Sequence, residues 1–201
     1  LKSDESYTFS KYFELPFDIE DILADLGCSI ERTELDLPSY DLPLDGLEQV
    51  QAQIQDGIRY VGITSEQARR EFLIAPIVRE VCRVTRQRVR VEYPIVVSSW
   101  LRGTFDYYFQ DENLLVIEAK RENLDNGLTQ LATELIALDA WTESEVPVLY
   151  GAVTTGQDWR FCLFYRQEQR LMADFKLYRV PEETEILLRI LVEILRSKSA
   201  C

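Results

Sequence analysis

Two short runs bring together residues whose types and spacing could carry chemistry. One is Arg102-Gly-Thr-Phe-Asp106, and the other is Leu114-Leu-Val-Ile-Glu118-Ala-Lys120. Residues two apart on a strand share a face, so Glu118 and Lys120 project together. An apolar strand ending in two charged same-face residues has two readings. It either emerges into solvent, with Lys120 and Arg121 as an exposed salt-bridge cluster, or it presents a site. Register bears on the choice. A hairpin loop of Asp111-Glu112-Asn113 pairs Gln110 with Leu114 and sets Asp106 opposite Glu118, whereas a loop of Asp111-Glu112 puts Asp106 opposite Ile117. Three-residue hairpin loops commonly end in the left-handed region, which Asn113 tolerates, so the loop favours the register in which the carboxylates converge.

Two carboxylates directly opposite repel each other, and a divalent cation relieves the repulsion. Mg²⁺ (or Mn²⁺) is the natural occupant, since it takes one or two carboxylates together with water and phosphate oxygens. Such an ion lowers the pKa of a bound water and neutralises charge on a phosphate. Lys120 beside it would orient or deprotonate that water and stabilise the pentavalent transition state.

The elements that must position these residues follow from periodicity and punctuation. Short elements are expected early: a helix over Phe17–Leu26, a strand over Ser29–Leu37, a turn-rich link between Pro38 and Pro43, and a helix over Leu47–Tyr60. A stronger helix starts near Thr64, with Thr64 and Gln67 as a capping box and Ala68, Phe72, Ile74, Ile77, Val78, Val81 and Cys82 as its apolar face. Pro76 should kink or split it. Strands are expected at Val89–Val97, Gly103–Gln110 and Leu114–Ala119, then a helix over Leu124–Trp141. Further strands are expected at Pro147–Thr154, Trp159–Tyr165 and Phe175–Val180. Pro181 opens a closing helix, Glu182–Arg196. This order describes an α/β sandwich on a mixed central sheet. Residues 1–60 read as an acidic N-terminal extension packed on the core formed by residues 61–201.

The 201 residues are 46% hydrophobic and 28% charged, a composition for one compact domain with or without an extension. Histidine is absent, which excludes Ser-His-Asp triads, and Cys28, Cys82, Cys162 and Cys201 form no C-x-x-C pair, so a zinc site is hard to assemble and free thiols are expected. There is no P-loop motif. With no apolar run of roughly 18 residues and no signal-peptide core, a soluble cytoplasmic protein is expected, with no membrane partner. The net charge of -13 argues against nucleic acid, but its distribution is uneven. Residues 1–66 hold 4 basic and 15 acidic side chains, residues 67–121 hold 10 and 7, and residues 122–201 hold 8 and 13. The one positive stretch contains the suspected site. Within it Arg79, Arg83, Arg86, Arg88 and Arg90 form either a phosphate-tracking patch or a solvated face.

Phe105-Asp106 followed by Glu118-Ala-Lys120 resembles the PD-(D/E)xK nuclease superfamily, with Phe105 where the name-giving proline would stand. The resemblance covers most of residues 64–165. It implies a restriction-endonuclease-like fold and a Mg²⁺- or Mn²⁺-dependent endo- or exodeoxyribonuclease acting on DNA. It makes Glu71 an additional acid that binds or orients the metal, beside Asp106 and Glu118, and Gln130 a glutamine that supports the site. Thr154-Thr-Gly-Gln-Asp-Trp159-Arg-Phe161 is similar to the strand-turn-strand of nuclease domains in type I restriction motor subunits and related stand-alone proteins. Many nucleases of this kind are dimers, so the resemblance implies a homodimer, or a separate protein partner or motor subunit, as an expected partner. Periodicity by itself places Gln130 in water, about 150° from the stripe of Leu128, Leu131, Ala132, Leu135 and Leu138. Glu71 has an alternative role in an exposed pair with Arg69 or Arg70. The competing function is a catalytically weak or inactive nuclease-fold binding module, regulated by its acidic N-terminal segment.

Overall fold

Leu114–Ala119 and Val148–Thr154 are nearly uninterrupted apolar runs, which suits strands covered on both faces. The computed structural model, which describes residues 1, 6–12, 14–110, 114–120 and 124–196, places them side by side at the centre of one sheet. The helices are α1 (Phe9–Tyr12), α2 (Ile19–Asp25), α3 (Leu47–Tyr60), α4 (Glu66–Arg69), α5 (Ala75–Thr85), α6 (Leu124–Trp141) and α7 (Thr184–Arg196), with a π-helical turn, Arg70–Ile74, joining α4 to α5. The strands are β1 (Ser29–Thr33), β2 (Val89–Val96), β3 (Arg102–Gln110), β4 (Leu114–Ala119), β5 (Val148–Thr154), β6 (Asp158–Tyr165), β7 (Arg170–Asp174) and β8 (Tyr178–Arg179).

Among the described residues the strand order is β1-β7-β6-β5-β4-β3-β2, with β8 paired to β6. β4 runs parallel to β5 and β1 parallel to β7, while the other pairs are antiparallel. The parallel β4–β5 pair requires a crossover, which α6 supplies. The chain is therefore an α/β protein with a mixed, open sheet and helices on both faces. One core lies between the sheet and α3, α5 and α7, and includes Ile54, Ile77, Ile117 and Leu191. The other lies between the sheet and α1, α2 and α6, and includes Phe9, Leu23, Val116 and Leu135. Residues 1–60 enter both cores, and β1 extends the sheet at its edge.

The β3–β4 ladder runs from Tyr107↔Ile117 to Gln110↔Leu114, the register that a three-residue loop requires. The loop Asp111–Asn113 itself lies outside the described residues. Other expectations change. The cap of α4 is Ser65, whose side chain accepts the Ala68 N–H, because Thr64 is held in a turn by its own N–H on Gly62 O. Pro76 does not break the helix. The π-helical turn just before it widens the winding where proline supplies no N–H and its ring would crowd the preceding turn. The strand expected over Phe175–Val180 shrinks to β8, while Arg170–Asp174 forms β7. Pro181 precedes α7, in a turn, rather than lying within its first turn. Cys28, Cys82 and Cys162 are free thiols; Cys201 lies outside the described residues. No helix among the described residues is long and apolar enough to cross a membrane.

Candidate active site

The site forms where the sheet loses its regularity. The β3–β4 ladder ends at Tyr107↔Ile117, one position short of Asp106 and Glu118. There the Asp106 carboxylate takes over the role of a backbone partner: its Oδ2 accepts the Ala119 N–H at 2.8 Å. β4 keeps its parallel ladder with β5 as far as Ala119↔Thr154, and the Lys120 N–H then donates to Thr154 O at 2.7 Å. On the other side of β3, Val91↔Tyr107 and Tyr93↔Phe105 flank Glu92, a non-glycine residue at φ 52°. The alternation of β3 breaks at the same place. Phe105 packs in the α6 layer and Tyr107 in the opposite layer, although residues two apart on a regular strand share a face. Asp106 is thus reached from both sides of the sheet.

From the α6 side comes a connected set of polar groups. Glu118 Oε1 meets Lys120 Nζ at 2.7 Å and accepts from Gln130 Nε2 at 2.7 Å. Lys120 Nζ donates to Gln130 Oε1 at 2.6 Å, and Gln130 Nε2 also donates to Glu134 Oε1 at 2.9 Å. Glu118 is 2% exposed and Glu134 wholly buried. The second oxygen of each carboxyl has no hydrogen-bond partner among the described residues. Burial, then the nearby Asp106 charge, pushes the Glu118 carboxyl up to about 8 despite the opposing pull of Lys120. Burial, then Glu118, raises Glu134 well above the usual carboxylate range. Burial alone would lower the Lys120 ammonium, but Glu118, Glu134 and Glu66 outweigh it and raise its pKa.

From the opposite layer comes Arg70, in the first position of the π-helical turn. Its Nη1 lies 3.5 Å from Asp106 Oδ1 and 3.1 Å from Glu92 Oε1, and its guanidinium sits 5.4 Å from the Tyr107 ring centroid.

Asp106, Glu118, Lys120 and Gln130 are therefore brought together. The watery position that periodicity gives Gln130 is corrected. Every residue of α6 from Gly127 to Leu138 is buried, so this helix has no solvent face for Gln130 to occupy. Glu71 is placed differently from its neighbour: its side chain is exposed on the rim of a cleft, and Arg70 is the group of that helix that faces Asp106. Glu134 was missed. Its signal is a charged residue inside Leu131-Ala-Thr-Glu-Leu-Ile-Ala-Leu138, a stretch apolar enough to be covered on all sides. The five arginines Arg79, Arg83, Arg86, Arg88 and Arg90 are exposed; Arg83 is engaged by Glu80 through two 2.8 Å hydrogen bonds, and Arg90 lies over Tyr93.

Close packing fixes the Lys120 stem. A Cβ on Gly127, in the first turn of α6, would lie 2.8 Å from Lys120 Cγ and 2.6 Å from Val153 Cγ2. Gly127→Ala normally gains about 1 kcal/mol of helix propensity. Here overpacking should outweigh that gain and destabilise the fold by about 1–3 kcal/mol, with Lys120 displaced. Chemical denaturation of the variant measures this directly, and a variant more stable than the parent would show that the stem yields freely.

The donor set bears on a metal. It consists of carboxylate oxygens, with no histidine or thiolate at hand, which suits a hard cation such as Mg²⁺ or Mn²⁺. No group of three or more acidic, cysteine or histidine side chains arranged to hold a metal occurs among the described residues. Mg²⁺ needs only one or two carboxylates when water and phosphate complete its shell. Asp106 and Glu118 are the two carboxylates just past the end of the β3–β4 ladder, and Glu118 Oε2 has no hydrogen-bond partner among the described residues. Comparison of the chain with protein-family models, curated proteins and solved structures finds no match.

Proposed function

We propose that this chain is a metal-dependent nuclease of the PD-(D/E)xK kind, with a restriction-endonuclease-like α/β sandwich, hydrolysing phosphodiester bonds in DNA. The observation that carries the reading is the end of β4: Glu118 and Lys120 leave it on one face, share Gln130, and stand beside Asp106 from the adjoining hairpin strand. An ordinary surface salt bridge would not be almost wholly buried and cross-braced by a buried amide.

Asp106 and Glu118 would hold the cation, which supplies charge neutralisation and a more acidic bound water. The chain's own groups then divide the remaining work. In the metal-free chain Glu118, Glu134 and Glu66 raise the Lys120 ammonium above its ordinary value, and Lys120 would orient the water or place its charge toward a phosphate oxygen. Gln130 sets its direction: with Nε2 committed to Glu118 and Glu134, Oε1 is left to face the ammonium. Ala119, pinned by Asp106 on one side and by the β5 ladder on the other, fixes the spacing of the two carboxylates.

The test is incubation of the purified chain with plasmid and linear DNA. Cleavage is expected with Mg²⁺ or Mn²⁺ and should stop on chelation. DNA binding without cleavage under any of these cations would replace this reading with that of an inactive nuclease-fold binding module.

A further inference from the structure

Arg70 is a charged residue at the site that the nuclease reading leaves without a role. It stands at the head of the only π-helical turn among the described residues, a winding often found where a helix serves a function. The turn directs Arg70 inward while Glu71 stays on the rim. Three groups hold the guanidinium: the Tyr107 ring beneath it, Asp106 at 3.5 Å and Glu92 at 3.1 Å. These holds are unequal in kind. Tyr107 is buried in the core, whereas the Glu92 side chain is 68% exposed and its backbone sits in the left-handed region, which a glutamate adopts only under strain. Beside Arg70 opens a cleft of about 500 Å³ lined by Glu66, Gln67, Glu71, Glu92 and Tyr107. An exposed carboxylate is a weak partner for a guanidinium, and the two oxygens of a phosphodiester present the same fork geometry with stronger charge-assisted bonds.

Resting on the nuclease reading, we infer that Arg70 is the residue that grips the substrate phosphate, and that Glu92 occupies its guanidinium until a phosphodiester displaces it. Glu92 is a built-in competitor that keeps Arg70 extended over Asp106 and charge-balanced in the free protein. Because Glu66, Glu71 and Glu92 make the cleft acidic, the grip is effective only when a divalent cation offsets the carboxylates. Arg70 then supplies the bidentate contact.

Binding of fluorescently labelled DNA, single-stranded and duplex, is to be measured by anisotropy with Ca²⁺, which offers the divalent charge while suppressing turnover. Arg70→Ala should weaken binding roughly tenfold or more, the worth of a charge-assisted pair, and Arg70→Lys should recover only part of it. Glu92→Gln should tighten binding several-fold. Thermal melts of the three variants should stay near the parent. Equal affinity in Arg70→Ala overturns the assignment, and so does unchanged or weaker affinity in Glu92→Gln. If Arg70-dependent binding is seen but Mn²⁺ supports no cleavage, the phosphate grip stands and the nuclease reading fails. If cleavage proceeds and Arg70→Ala leaves KM unaltered, the reverse holds. Absence of DNA binding by the parent chain overturns the grip outright.

Discussion

Replacing Lys120 with alanine is expected to lower cation-dependent DNA cleavage by at least about a hundredfold, the usual worth of a positioned proton or charge donor in such a reaction. The expectation rests on where the ammonium lies. It is 2.7 Å from Glu118 Oε1 and 2.6 Å from Gln130 Oε1, so its loss removes a positive charge and unseats the amide that links β4 to α6. Asp106→Ala should be as damaging, because it takes away one carboxylate and leaves the Ala119 N–H without its acceptor. The Lys120 change has a second consequence. It leaves Glu118 buried without its cation, so the variant should also be less stable, and increasingly so at alkaline pH. Circular dichroism separates loss of chemistry from loss of fold. A folded Lys120→Ala protein that cleaves at the parental rate would reduce Lys120 to an ion-pair partner.

The second large effect concerns pH. The Glu118 carboxyl has an ordinary value of 4.5 and is pushed up to about 8 in the folded chain, first by burial and then by Asp106. Between those values the folded protein keeps a proton that the unfolded chain has released. The group's stabilisation is therefore fully present below about 4.5 and is lost as pH rises toward about 8. Glu134, raised by burial and by Glu118, acts in the same direction. In chelator, the melting temperature should fall as pH is raised from the acid side into the alkaline range. Mg²⁺ should restore it most at the alkaline end, where cation and proton no longer compete for the carboxylates. Glu134→Gln should flatten the slope. A melting temperature indifferent to pH across this window, or a Mg²⁺ increment equal at both ends, would mean that the buried pair does not govern stability.

The sequence and the structure agree where local chemistry decides. Asn113 and the loop length specify the β3–β4 register, and that register is the one observed. Leu47–Tyr60 is a helix to the residue, and the helix expected over Leu124–Trp141 ends at Trp141 as expected, residues 121–123 lying outside the described residues. Agreement fails where tertiary burial decides. Gln130 looks peripheral on a helical wheel that assumes a solvent face, but α6 has none over its middle turns, where Glu134 is buried as well. No strand is expected over Arg170–Asp174, yet it forms β7, flanked by β1 and β6. Arg70 and Glu71 are adjacent and similarly polar. It is Arg70, at the head of the π-helical turn, that meets Asp106, while Glu71 stays exposed.

The parallel pairing of β1 with β7 also carries a cost during biosynthesis. Cys28 and Gln169, which meet at the start of that ladder, are 141 positions apart. On the ribosome β1 leaves the exit tunnel long before its partner has been made, and it has to wait unpaired while the other strands assemble. Closing so long a loop is entropically slow, and it leaves an open strand edge on β7 until the last moment. Docking of β1 is thus expected to be a late step in maturation, and the stage at which nascent chains are most prone to self-associate.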